Sequence, residues 1–186
     1  GRLPVNTPAE TADLVARTLA YEQGTAVPST FFAADGTESQ FEETANNIAS
    51  NSGLSEVGLQ ILTGPQTAEV TAILNEGPWL ATYIGHGSLG QCGKDNVFTQ
   101  EAIANLSSET PPIIIQLTCL TGLFTQPEQT SLTEMLLTHP AGPVLSVAAT
   151  SLSLSSNQEP FATTLIQHLN DPKVERIGDA FQAAKL

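Results

Sequence analysis

The sequence predicts an α/β fold, a three-layer α-β-α sandwich around a mostly parallel sheet. Three observations carry that expectation. Five apolar runs of strand length alternate with segments whose apolar residues recur at helical spacing, the pattern of strands joined by right-handed helical crossovers. The run Ile113-Ile114-Ile115-Gln116-Leu117 is nearly all apolar and rich in β-branched residues, as expected for a parallel strand covered on both faces. Three of the runs end in residues that can do chemistry, namely Asp35, His86 and Cys119. No internal repeat or linker divides the 186 residues, so residues 1–186 read as a single domain.

Each element has its own signal. Thr7-Pro8-Ala9-Glu10 opens a helix: Thr7 caps, Pro8 suits the first helical position, and Glu10 completes a capping box. Leu14, Val15 and Leu19 continue it at helical spacing, and Gly24 stops it. Residues 30–34 form a short strand ending at Asp35-Gly36, followed by a helix over 38–50 with Phe41, Ala45 and Ile48 on one side. Val57–Leu62 is the second strand, closed by Gly64-Pro65. A helix over 66–75 then stops at Gly77-Pro78. Trp79–Ile84 runs as a strand into Gly85-His86-Gly87-Ser88, residues 89–97 read as a polar loop, and Phe98–Leu106 as a short helix with Thr99 near its start. Pro111-Pro112 precedes the 113–117 strand, which ends at Thr118-Cys119. A helix near 130–138, a strand over Val144–Ala148, a Ser-rich loop over 150–156, and helices over 159–169 and 175–184 complete the chain.

Charge narrows the range of partners. Nineteen acidic residues against six basic ones give a net charge of −13, and Arg2, Arg17, Lys94, Lys173, Arg176 and Lys185 form no cluster along the sequence. Nucleic acid and anionic membrane surfaces are therefore poor partners, whereas a basic or neutral ligand such as a peptide suits the charge. No segment is long and apolar enough for membrane insertion. The chain has no initiator methionine and opens abruptly, as the middle of a longer protein would. Two cysteines, Cys92 and Cys119, provide neither a disulfide framework nor a four-thiolate zinc site.

In an open parallel sheet, sites gather beyond the carboxyl ends of the strands. His86 and Cys119 on neighbouring strand ends would serve as base or acid and as thiolate nucleophile. The glycines flanking His86 suit a tight backbone path, and Gly87 is placed to offer its N–H to an anionic intermediate. Asp35 is a candidate to orient the imidazole. Each has an ordinary structural reading too: a strand-end cysteine is often a small buried hydrophobe, and an aspartate before glycine is common turn chemistry. His139 and His168 fall at helix ends, where a histidine commonly serves the helix terminus. Asn105-Leu106-Ser107 matches the glycosylation pattern.

Tyr83-Ile84-Gly85-His86-Gly87-Ser88 and Leu117-Thr118-Cys119-Leu120-Thr121-Gly122-Leu123-Phe124 together resemble the gingipain family of cysteine peptidases, within the caspase-like folds. The opening Gly1-Arg2-Leu3-Pro4-Val5 and the tail Arg176-Ile177-Gly178-Asp179-Ala180-Phe181 add to that resemblance, which covers nearly the whole chain. It implies a cysteine endopeptidase acting on polypeptide through a His86/Cys119 dyad. Asp35 would fall near the acid that assists the histidine, and the Gly87 and Cys119 N–H groups would form the oxyanion hole.

Cys92 stands where arginine-cleaving members carry a pocket tryptophan, which implies a wider or differently shaped pocket. Glu42 and Glu43 lie roughly where those members place an acid for a basic P1 side chain, although both also suit the solvated face of a helix. The resemblance further implies a secreted or cell-surface protein, no required cofactor, a structural calcium in acidic loops, and association with the remainder of its own precursor or a second chain. Family members have strands before the opening segment and another after the last helix, so the chain is expected to be truncated at both ends. The alternatives are a catalytically inactive caspase-like domain that binds peptide or assembles with partners, and a structural piece in which Cys119 is merely buried.

Overall fold

The computed structural model describes residues 2–24 and 29–185, so Gly1 of the opening motif lies outside the described residues. The first helix, α1 (Pro8–Gln23), begins as its sequence dictates. Thr7 Oγ1 accepts from Glu10 N at 3.2 Å, while the Glu10 carboxylate accepts from Asn6 N–H at 2.7 Å, one residue before the expected partner. Of the three apolar residues expected to form its inner face, only Leu14 is buried, whereas Val15 and Leu19 are about half exposed. The Arg17 guanidinium helps to tie α1 down, donating to the Leu137 and Pro143 carbonyls at 3.1 and 3.0 Å. Those carbonyls lie at and beyond the C-terminal end of another helix, where cations are favoured.

The strand β1 (Thr30–Ala34) is fully buried, and α2 (Ser39–Asn51) turns Phe41, Thr44, Ala45, Ile48 and Ala49 inward. The next strand, β2 (Leu59–Thr63), starts later than its apolar run suggests. Gly58, at a φ of +79°, turns the chain there and leaves Val57 exposed. After α3 (Thr67–Asn75), β3 (Leu80–Ile84) is fully buried. The expected polar loop instead holds β4 (Gly87–Ser88) and β5 (Gln91–Cys92), which pair with β6 (Phe98–Thr99) in a small antiparallel sheet. Phe98 and Thr99 are thus strand residues, and α4 (Gln100–Ile103) is only one turn long.

The buried β7 (Ile113–Leu117) leads to α5 (Leu132–Thr138), whose start carries a capping box between Ser131 and Glu134. Next come β8 (Leu145–Ala148), α6 (Ser155–Leu169) and α7 (Ile177–Ala183). The start of α6 lies one turn earlier than Pro160 suggests. Proline fixes a helix-compatible φ and costs one backbone bond near a terminus. That extra turn brings Gln158 into the helix.

The main sheet has the order β2-β1-β3-β7-β8, with every pairing parallel. Side chains alternate across it and feed two cores. Phe31, Ala33, Tyr83 and Ile114 meet Leu74, Phe98 and Leu136 on one face, and Phe32, Ile84 and Ile115 meet Phe41, Ile48, Leu165 and Ile166 on the other. The result is a three-layer α/β/α arrangement. Ala34 pairs with Ile84, and Ile84 with Leu117, so three adjacent strands end level. The residues immediately beyond these ends make the site.

Candidate active site

The turn after β3 is shaped by what surrounds Gly85. Its φ is +155°, and a Cβ there would stand 2.3 Å from Asp35 Cβ and 2.5 Å from the Tyr83 phenol oxygen. Only glycine fits this conformation and this gap. The next residue, His86, has its backbone held on both sides. Its N–H donates to Asp35 Oδ2 at 3.2 Å, and its carbonyl accepts from the Tyr83 hydroxyl at 2.7 Å and from Gly93 N–H at 2.8 Å.

Asp35 therefore does not orient the imidazole, as the sequence suggested; it anchors the histidine's main chain. Its carboxylate is buried, which opposes ionisation. The Thr37 hydroxyl at 2.7 Å, the Thr37 N–H at 3.0 Å and the His86 N–H outweigh that penalty, and they hold its pKa below the ordinary value. Burial raises the Tyr83 pKa well above the ordinary phenol value, with contributions from Cys92 and Asp35, so the hydroxyl stays protonated and can donate.

The acid that meets the His86 ring is Glu38, the residue immediately before α2, whose side chain makes no capping bond to the helix. Glu38 Oε1 lies 2.7 Å from His86 Nε2, and both side chains are partly exposed. Phe41, one turn further along α2, presents an edge-on ring at 5.1 Å between centroids. The imidazole is thus oriented from α2, a different element from the strand that carries it.

On the neighbouring strand, Cys119 is half-buried and free. Leu120, just after it, takes a φ of +63°, a left-handed conformation unfavourable for a branched side chain. Backbone bonds hold this turn. Thr121 N donates to Cys119 O at 2.8 Å, Leu120 N to Ser151 O at 3.2 Å, and Gly122 N to Ala149 O at 2.9 Å. The thiol lies against Ser153, with Sγ 3.5 Å from its nitrogen, 3.6 Å from its carbonyl oxygen and 3.8 Å from its hydroxyl. The buried Thr118 and Thr121 hydroxyls have no hydrogen-bond partner.

The two turns abut at Gly87, where a Cβ would fall 2.3 Å from Thr118 Oγ1 and 3.1 Å from Cys119 O. The Gly93-to-His86 bond makes Gly87 and Cys92 the non-hydrogen-bonded pair of the β4–β5 hairpin, leaving the Gly87 N–H outside the ladder. The structure therefore joins the His86 and Cys119 turns through the backbone. It does not pair the imidazole with the thiol: His86 is engaged with Glu38, and Cys119 with Ser153.

The three residues that the sequence suggests for the pocket do not lie together. Cys92 is 2% exposed and packs in the core near Tyr83, Val97 and Phe98. Strand alternation points its side chain onto the main sheet, where Sγ lies 3.9 Å from Gln116 Oε1. Burial raises its thiol pKa strongly, and the Asp35 charge raises it further. Glu42 and Glu43 are both exposed on α2; Glu42 lies one turn from Glu38, whereas Glu43 points along another direction of the helix. Glu38, Ser153 and Gln158 escaped the sequence reading. Glu38 had a local signal, an acid at the start of a helix three residues after Asp35. Ser153 lies in a Ser-rich stretch, and Gln158 just after it, where the pattern marks no site. Among the described residues, no group of three or more His, Cys, Asp or Glu side chains is placed to hold a metal ion, and no helix is long and apolar enough to cross a membrane.

Comparison with solved structures finds the same architecture. The crystal structure of the Arg-specific cysteine proteinase gingipain R superposes with a TM-score of 0.84 at 19% identity, covering 99% of this chain and 48% of that one. The complex of Porphyromonas gingivalis RgpB pro- and mature domains gives 0.78 at 20% identity, covering 92% and 45%. A third structure, described only as a protease, gives 0.72 at 15% identity, covering 86% and 38%. At these identities the likeness is one of fold, and the chain spans about half the length of gingipain R or less of the other two. No curated protein matches the sequence. The sequence matches peptidase family C25 over residues 1–186, and the chain belongs to that family.

Proposed function

We propose that this chain carries the catalytic centre of a cysteine endopeptidase, with Cys119 as nucleophile and His86 as general acid and base. The observation that carries this reading is the close approach of the His86-Gly87 and Thr118-Cys119 turns at the level ends of β3 and β7. Family membership supports the same chemistry.

In the proposed reaction the Cys119 thiolate attacks the scissile carbonyl carbon, and the carbonyl π electrons move onto oxygen. In this reading the Gly87 and Cys119 N–H groups donate to that oxyanion. When the C–N bond breaks, His86 protonates the leaving amine and Cys119 remains as a thioester. His86 then takes a proton from water, whose oxygen attacks the thioester, releasing the carboxylic acid product and regenerating the thiolate. The Glu38 contact occupies Nε2, which leaves Nδ1 as the nitrogen for proton transfer.

Glu38 and Glu42 lie one helical turn apart on α2, next to His86, and this acidic surface favours a basic residue at P1. The arginine specificity named for gingipain R agrees with that preference. A secreted or cell-surface setting, and association with the remainder of a precursor, belong to the same proposal; the structural relative solved with its pro-domain supports the second.

The test is intact-mass labelling of the native protein with peptidyl electrophiles that differ only at P1, carrying Arg, Lys, Asp, Leu or Ala. Fast labelling of Cys119 with Arg or Lys, lost in His86→Ala, is expected. Slow labelling, equal across the series and unchanged by His86→Ala, would overturn the enzyme reading. Retained peptide affinity would then favour an inactive, peptide-binding domain.

A further inference from the structure

We infer that Ser153, locked in place by Gln158, is a positioning residue for the Cys119 thiolate. The inference rests on the proposed role of Cys119 as nucleophile and extends it to residues outside the His86 and Cys119 motifs. Ser153 sits between the exposed Leu152 and Leu154, yet its own side chain is turned inward and half-buried. It meets Cys119 Sγ with three groups: an N–H at 3.5 Å, a carbonyl at 3.6 Å and a hydroxyl at 3.8 Å.

These groups favour the two protonation states differently. The neutral thiol donates weakly to the carbonyl, whereas the thiolate accepts from the N–H. A bond from N–H to an anion is charge-assisted and outweighs the weak S–H contact. The N–H thus partners the thiolate and holds Sγ in one rotamer, at the end of the strand next to the His86 turn.

Gln158, in the first turns of α6, fixes that geometry. With its carbonyl oxygen facing them, it accepts from the Thr118 N–H at 3.2 Å and from the Ser153 hydroxyl at 2.7 Å. Its amide nitrogen then donates to Leu117 O at 3.2 Å. In this orientation both polar atoms of the amide are partnered, and one side chain clamps the end of β7 to the loop that holds Ser153. The early start of α6 before Pro160 is what brings Gln158 within reach.

The test is the pH profile of Cys119 alkylation by iodoacetamide, a small reagent that needs no peptide pocket, in the parent, Ser153→Ala, Ser153→Thr and Gln158→Leu. Ser153→Ala and Gln158→Leu should shift the profile to higher pH and slow alkylation at pH 7 by about fivefold. The rate on the alkaline plateau should be unchanged, and Ser153→Thr should match the parent. Unreacted Cys92 reports an intact core in each variant, and where one variant exposes it, the other decides. Coincident profiles overturn the inference, as does a lowered plateau without a shift, or a Ser153→Thr profile displaced as far as that of Ser153→Ala. Failure of the peptidase reading is recognised separately, by loss of P1 dependence in the parent.

Discussion

Glu38 Oε1 stands 2.7 Å from His86 Nε2, so the imidazole is oriented by an acid on α2 while its backbone is held by Asp35. The two acids have separable jobs. Glu38→Gln keeps a hydrogen-bonding group but removes the negative charge that faces Nε2. Labelling of Cys119 by an Arg-P1 electrophile should slow by on the order of tenfold with little change in melting temperature. Glu38→Ala should be slower still. Equal rates in all three proteins would show that the contact does not serve the imidazole.

Asp35 should act on stability instead. Its folded pKa lies below the ordinary carboxyl value of 3.8, so the folded state binds its proton more weakly than the unfolded chain. The stability it contributes is therefore complete above 3.8 and is lost as pH falls through the lower folded value. Asp35→Asn should cost about 2 kcal/mol near neutral pH and flatten the acid limb of the stability curve. Urea unfolding at a series of pH values below and above 4 checks both. An Asp35→Asn protein that keeps the parent's acid limb would remove Asp35 as its source.

How much of this was legible depends on the range of the interactions. The five strands of the main sheet, most of the helices between them and the placing of Asp35, His86 and Cys119 just past strand ends follow from local apolar runs and breakers. The small β4–β6 sheet does not, because two-residue strands have no period to detect. Nor does the job of Asp35: proximity in sequence to a turn says nothing about which atom of His86 it meets. The Glu38–His86 pair joins residues 48 apart, and the Ser153–Cys119 contact joins residues 34 apart. Both exist only once the sheet has formed.

The packing of Gly87 against the Cys119 turn gives a prediction about geometry. A methyl group there would overlap Thr118 Oγ1 and press on Cys119 O. Gly87→Ala should push the two turns apart at a cost of about 1–3 kcal/mol. Its effect on P1-dependent labelling of Cys119 should exceed its effect on iodoacetamide labelling, because the electrophile must span both turns. Equal losses with both reagents would mean that only the thiol had been disturbed.

Arg17 offers a contrast far from these turns. It donates to the Leu137 and Pro143 carbonyls and anchors a helix whose Val15 and Leu19 are half exposed. Arg17→Leu should lower stability by about 1–2 kcal/mol through the orphaned carbonyls, and leave the labelling rate of Cys119 unaltered. Thermal unfolding alongside labelling separates the two effects.

The burial of Cys92 yields the sharpest test of where the pocket is not. Its thiol is 2% exposed, and burial together with the Asp35 charge disfavours the thiolate. In the native protein it should stay unlabelled under conditions that consume Cys119, and react only after denaturant is added. Cys92→Ala would remove one sulfur atom from a packed core, costing about 1 kcal/mol, and should leave the ranking of P1 electrophiles unchanged. A reordered ranking in Cys92→Ala, without loss of stability, would return this side chain to the pocket wall and require the β4–β5 hairpin to sit differently when substrate is bound.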